Sequence, residues 1–79
     1  MMKKSKGERT MEYKWIDGFR IKVSAVDDAV IISANREGLL SLTSHLMGLV
    51  QEPSGSHMHL DQYNSLEEGS VDLIVERID

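Results

Sequence analysis

The strongest constraint on the fold is a change in the spacing of apolar residues along the chain. Residues 19–25 alternate apolar and polar side chains, as does a strand with one buried face. Residues 39–50 instead repeat apolar side chains every three or four positions, which is the period of a helix. Alternation returns in residues 57–61 and 71–76. Together with residues 29–34, which are almost entirely apolar and fit a central strand, this pattern predicts the order β-β-α-β-β.

Local signals at the ends of these segments agree with that order. Asp27 and Asp28 favour a turn between the first two strands, because aspartate side chains bond to nearby backbone groups in turns. Asn35 can cap the helix, and Pro53 followed by Gly55 ends it. The helix is predicted to bury an apolar stripe formed by Leu39, Leu42, Leu46, Leu49 and Val50.

The chain is predicted to form a small α+β domain. Its 79 residues leave room for one modest core. We expect a disordered basic tail over residues 1–12 and a single domain over residues 13–79, in which one helix covers one face of a four-stranded, mostly antiparallel sheet. Because one helix is narrower than four strands, the opposite face or an edge strand stays open and is expected to support a homodimer. The open face is predicted to carry Arg20, Lys22, Ser24, His57, His59, Asp72, Ile74 and Glu76.

Charge is distributed unevenly along the chain. Residues 1–22 carry seven basic and three acidic residues, whereas the remainder carries two basic and ten acidic residues. An acidic folded body repels nucleic-acid phosphate and can attract a basic protein partner. Cysteine is absent, and no apolar run approaches the ~18 residues of a membrane span. We therefore expect a cytoplasmic protein that binds neither nucleic acid nor membrane.

Two histidines and an aspartate are predicted to share one face of the third strand. His57, His59 and Asp61 alternate with apolar residues. This triplet resembles the start of the histidine motif of metallo-β-lactamase-fold hydrolases, but Gln62 stands where those enzymes have a further histidine. Zinc catalysis needs three protein ligands and an open position. We favour a polar strand surface, with a metal- or ligand-responsive module using His57, His59 and Asp61 as the alternative.

Catalytic motifs are missing elsewhere in the sequence. The serines lack the context of a nucleophile elbow, and the glycines lack the spacing of a phosphate-binding loop. The sequence therefore predicts neither an enzyme nor a cofactor.

The aromatic side chains suggest different roles. Trp15 is expected to pack at the edge of the core, whereas Tyr63, in a polar loop, is the better interface candidate. His45 lies off the leucine stripe of the helix and is expected to face solvent.

Three segments carry a resemblance to a known family: residues 33–40 (SANREGLL), 53–61 (PSGSHMHLD) and 64–70 (NSLEEGS). With the leucine-rich helix and the last aliphatic strand, they resemble a family of small bacterial proteins assigned as immunity proteins of polymorphic toxin systems, over about residues 14–78. The resemblance implies a cytoplasmic protein that binds a cognate toxin and blocks it. Combined with the acidic charge after residue 22, it predicts an acidic contact surface made of Asp61, Tyr63, Glu67, Glu68 and Asp72.

Overall fold

The computed structural model describes residues 14–79, which adopt an α+β arrangement. The elements are β1 (Ile21–Val26), β2 (Ala29–Ala34), α1 (Arg36–Val50), β3 (His57–Leu60) and β4 (Leu73–Glu76). The predicted order β-β-α-β-β is therefore confirmed. The predicted disordered tail of residues 1–12 lies outside the described residues, as does Tyr13.

The described strands form two separate two-stranded sheets, so the predicted four-stranded sheet is wrong. β1 pairs antiparallel with β2, and β3 pairs antiparallel with β4. The segment before β4 runs beside the free edge of β1. There the Glu67 amide donates to the Ile21 carbonyl at 2.8 Å and the Val71 amide donates to the Val23 carbonyl at 2.9 Å. Because the Ser70 hydroxyl accepts the Val23 amide at 3.1 Å in place of a backbone carbonyl, this segment bulges and no strand ladder joins the sheets.

The turn between β1 and β2 lies at Asp27 and Asp28, as predicted. Asp27 has a φ of 54°, in the left-handed region that aspartate tolerates better than most residues. The register places Val23 opposite Ile32. Directly opposed residues share one face of a hairpin, so Ile32 lies on the same face as the buried Val23.

β2 is an edge strand, so its predicted central position is wrong. Ile21 and Val23 of β1 have no exposed surface, whereas Val30 is 65% exposed and Ile32 is 41% exposed. The second hairpin causes this difference, because its Leu60 and Leu66 pack with Ile21 and Val23 of β1, whereas the helix follows β2 directly and contacts the hairpin near Ala34. The rest of β2 extends past the helix contact.

Asn35 caps α1, as predicted. Its Oδ1 accepts the Gly38 amide at 2.7 Å and the Arg20 amide at 3.0 Å, and its Nδ2 donates to the Gly18 carbonyl at 3.0 Å. One side chain therefore fixes both the start of the helix and the entry of the chain into β1. Within residues 14–79, no helix combines the length and the hydropathy that crossing a membrane requires.

The buried face of α1 is made largely of small and polar residues, so the predicted leucine stripe is only partly right. Leu42 packs against the core, but Leu39, Leu46 and Val50 are 53%, 40% and 63% exposed. The buried residues of the helix are Gly38, Ser41, His45, Gly48 and Leu49.

Close backbone packing explains this choice of face. A Cβ at Gly38 would clash with the Arg20 carbonyl oxygen and would lie 3.0 Å from the Ile21 side chain. The helix therefore rests on β1 through its backbone, which only a small residue allows. Hydrophobicity alone would bury the leucine face of α1. The close approach of the helix backbone to β1 instead buries the face that carries Gly38 and Gly48.

His45 is buried, so the prediction that it faces solvent is wrong. Its ring lies 3.9 Å from the Trp15 ring, and its Nδ1 lies 3.0 Å from the Ser41 carbonyl. Trp15 also stacks on Phe19, with ring centroids 4.6 Å apart, and so packs at the edge of the core as predicted. The Ile16 amide donates to the Ser41 hydroxyl at 2.7 Å, which holds this aromatic segment against the helix.

The core lies between β1 and the second hairpin. Its buried residues are Ile21, Val23, Leu60 and Leu66, with Phe19, Ala34, Leu42, Met58 and Leu73 packed around them. Met58 and Leu60 therefore face inward, and His57 and His59 are exposed. The alternation predicted for β3 is confirmed.

Candidate partner-binding surface

The connection between β3 and β4, residues 61–72, contains all the residues predicted to contact a partner. We call it the acidic connection, because it carries four acidic residues and neither lysine nor arginine. Leu66, which is 5% exposed, anchors its middle in the core. The bonds from Glu67 and Val71 to β1 hold its second half. The acidic side chains are thus presented by a segment whose backbone is well fixed.

The first half of the acidic connection is a turn built by Asp61 and Asn64. The Asp61 Oδ1 accepts the amides of Tyr63 and Asn64 at 2.9 and 3.0 Å. Asn64 returns the contact, because its Oδ1 accepts the Asp61 amide at 3.1 Å and its Nδ2 donates to the His59 carbonyl at 3.1 Å. Short polar side chains favour turns through such local bonds, which explains why this segment is irregular and still ordered.

Tyr63 lies at the tip of this turn and is 89% exposed. Its amide is bonded to Asp61, so its backbone position is fixed while its ring projects into solvent. A tyrosine ring offers a large apolar contact area together with a hydroxyl that can bond to a partner. The interface role of Tyr63 stays a prediction.

Glu67 and Glu68 differ in how freely they can contact a partner. The Glu67 carboxylate lies 3.4 Å from the Arg20 Nε, an exposed ion pair that contributes little to stability. Glu68 is exposed. Lys22 reaches the same region, since its Nζ lies 3.5 Å from where a Cβ of Gly69 would be. The surface is therefore acidic, with a basic border formed by Arg20 and Lys22.

Asp72 and Asp61 converge on His59. The His59 Nε2 lies 2.9 Å from the Asp72 Oδ2 and 3.9 Å from the Asp61 Oδ2. One nitrogen and two carboxylate oxygens within 4.8 Å of one another can share protons or can hold a metal ion. His57 is opposite Glu76 in the register and is not part of this group. The structure thus brings Asp72, rather than His57, together with the other two predicted ligands.

Sequence reasoning missed two features of this surface. It did not identify Asn64 as the residue that closes the turn, although an aspartate and an asparagine three positions apart are typical of turns. It also did not pair Asp72 with His59, because that contact depends on the β3 and β4 register, in which His59 is opposite Ile74.

One comparison with known proteins identifies a family. A family model described as Immunity protein 32 matches residues 29–78. The matched segment includes β2, α1, the second hairpin and the whole acidic connection, whereas β1 precedes it. No curated protein and no solved structure matches the chain.

Proposed function

We propose that this chain, which belongs to the Immunity protein 32 family, binds a cognate bacterial toxin in the cytoplasm and blocks it without catalysing a reaction. The observation that supports the contact surface is the acidic connection. It combines exposed acidic side chains with the projecting ring of Tyr63 on a fixed backbone. We assign the contacts to Asp61, Tyr63, Glu67, Glu68 and Asp72.

The charged residues and the tyrosine have different roles in this proposal. Acidic groups such as Glu68 attract a basic toxin and accelerate encounter, an effect that weakens as salt rises. The ring of Tyr63 enters a pocket on the toxin and slows dissociation, as buried aromatic residues do at the centre of interfaces. Because the Asp61 and Asn64 turn holds the backbone before binding, little conformational entropy is lost when the toxin docks.

Co-expression with the adjacent toxin gene tests the proposal. Cells that produce the toxin should grow when this chain is present and should die without it. The purified pair should form a complex. Equal killing with and without the chain, together with the absence of a complex, would show that the chain is not the immunity protein of that toxin.

Binding kinetics test the surface itself. Glu68→Lys should slow association several-fold and change dissociation little, whereas Tyr63→Ala should speed dissociation by about tenfold or more. Glu76→Lys is the matched control, because it makes the same charge change on the same hairpin but at the end opposite the acidic connection. If Glu76→Lys weakens binding as much as Glu68→Lys, net charge rather than this surface governs association.

A second candidate function, a metal- or ligand-responsive module, is favoured by the group of His59, Asp61 and Asp72. The Asp61 Oδ1 is used by the turn, which leaves its Oδ2 to face His59. All three side chains are partly exposed, at 45%, 24% and 60%, and a dry, closed coordination shell is not formed by them alone. We therefore rank this candidate second.

Calorimetric titration with zinc distinguishes the two candidates. The toxin-binding proposal predicts that EDTA leaves the melting temperature unchanged and that zinc binds weakly. Tight zinc binding that is lost in both His59→Ala and Asp72→Asn would favour the metal-responsive module. His57→Ala is the control, since His57 lies outside the group.

A further inference from the structure

Strand β2 has a surface that is unusual for an exposed edge. Val30, Ile31 and Ile32 are 65%, 45% and 41% exposed, and residues 29–34 contain no charged side chain and no proline. Edge strands of soluble proteins normally carry such residues to prevent pairing with other strands. β2 is therefore suited to pairing.

The backbone of β2 also offers free hydrogen-bonding groups. In an antiparallel hairpin with a two-residue turn, every second residue bonds to the facing strand, beginning with the residue after the turn. In β2 these residues are Ala29, Ile31 and Ser33. The bond from the Asn35 amide to the Arg20 carbonyl continues the same alternation. By this alternation the amides and carbonyls of Val30, Ile32 and Ala34 point away from β1. Within residues 14–79, no hydrogen bond joins these groups to a segment outside the hairpin.

We propose that β2 pairs antiparallel with β2 of a second copy of this chain. A two-fold axis perpendicular to the sheet places a residue opposite its own copy. With Ile32 at the axis, Val30 lies opposite Ala34 of the second copy, and every outward amide and carbonyl of the strand is paired. The two hairpins then form one continuous sheet in the order β1, β2, β2, β1.

Charge supports the same register and the same occupant. In this register the end of β2 that follows Asp28 in one copy lies beside the end of β2 that leads into Arg36, the first residue of α1, in the other copy, twice by symmetry. Both residues are exposed, and they flank an otherwise uncharged strand. A strand with an acid before it and a base after it is complementary to itself in antiparallel orientation. This self-complementarity favours a second copy over an unrelated strand.

The dimer leaves the acidic connection free. β2 lies on one side of β1, and the acidic connection bonds to the other edge of β1 through the Ile21 and Val23 carbonyls. The pairing therefore does not depend on the toxin, and a dimer presents two acidic connections. For this reason the dimer can be tested on the purified chain alone.

Analytical ultracentrifugation of the full chain over a wide range of concentration tests the proposal. The wild type should show a reversible monomer–dimer equilibrium. Ile32→Asp places two like charges at the axis and should abolish the dimer while the circular dichroism spectrum is retained. A monomer at every concentration overturns the proposal and leaves β2 to a different occupant, such as the toxin.

A charge swap tests the register without touching the apolar strand. Asp28→Arg and Arg36→Asp should each weaken the dimer by roughly tenfold, and the double variant should recover most of the loss. Glu76→Lys is the control and should have no effect. A dimer that is insensitive to Ile32→Asp and to both single charge changes uses another surface, and the proposal is then wrong.

Discussion

The two hairpins of this chain present opposite kinds of outer surface. In the first hairpin the inner strand buries Ile21 and Val23 completely, while the outer strand exposes Ile31 and Ile32. In the second hairpin the outward side chains of β3 are histidines, and the connection that follows is acidic. The first hairpin thus exposes an apolar outer strand, whereas the second exposes the histidines of β3 and an acidic connection.

The difference indicates which surface suits which partner. An apolar edge is a hazard whenever it is uncovered, so its occupant must be present at all times, as a second copy of the chain is. A polar acidic surface is stable in contact with water, so it can stay exposed until a transient partner binds. A toxin is such a partner, which is why we assign it to the acidic connection.

The largest expected difference lies within the first hairpin itself. Ile21→Ala should lower the free energy of unfolding by about 2–5 kcal/mol, because it opens a cavity in the core. Ile31→Ala, on the exposed strand, should lower it by less than about 1 kcal/mol when measured in urea at a dilution where the chain is monomeric. Equal losses would mean that β2 is as well covered as β1.

The contact between the helix and the first hairpin should be nearly as sensitive. Gly38→Ala would normally favour a helix by about 1 kcal/mol, but its Cβ would clash with the Arg20 carbonyl. We therefore expect a net loss of about 1–3 kcal/mol in thermal or urea unfolding. Thr43→Ala, at an exposed position of the same helix, is the control and should change stability little. A stabilised Gly38→Ala variant would show that the helix does not rest on β1.

The second hairpin holds the same helix by polar contacts. The Arg77 Nη1 donates to the Val50 and Glu52 carbonyls at 2.6 and 2.7 Å, at the end of α1. Arg77→Lys keeps the charge, but its ammonium lies one bond closer to the backbone and lacks the rigid guanidinium plane, so we expect longer bonds and a loss of about 1 kcal/mol in chemical denaturation. If Arg77→Lys costs as much as Gly38→Ala, the two hairpins hold the helix equally firmly.

The smallest effect is expected at the turn of the first hairpin. Asp27→Gly relieves the left-handed backbone at that position and should raise the melting temperature slightly, for a gain of up to about 1 kcal/mol. Asp28→Gly is the comparison, because the positive φ is at Asp27. Destabilisation by Asp27→Gly would indicate that its carboxylate contributes more than the strain costs.

Local patterns in the sequence predicted the elements well. The cap at Asn35, the bounds of β2 and the inward alternation of Met58 and Leu60 agree with the structure. Each of these features depends on neighbouring residues, so the local sequence contains the necessary information. The five contact candidates were predicted from charge and family resemblance, and the structure shows that they share one connection.

The errors concern packing between distant segments. The leucines of α1 suggest a buried stripe, yet the close approach of Gly38 to β1 turns a different face inward. The apolar residues of β2 suggest a central strand, but the acidic connection occupies the other edge of β1 and leaves β2 outside. The hydrophobicity of a segment indicates that it is buried in a contact. It does not indicate whether that contact is made by the same chain or by a second molecule.

Hydrogen exchange, followed residue by residue with and without the cognate toxin, tests most directly whether the two surfaces have separate partners. We predict that the amides of Val30, Ile32 and Ala34 are protected in the free chain, increasingly so with concentration, and that the toxin does not change them. Residues 61–72 should gain protection only when the toxin is added. Protection of the Val30, Ile32 and Ala34 amides that appears only with the toxin, with residues 61–72 unchanged, would contradict the account.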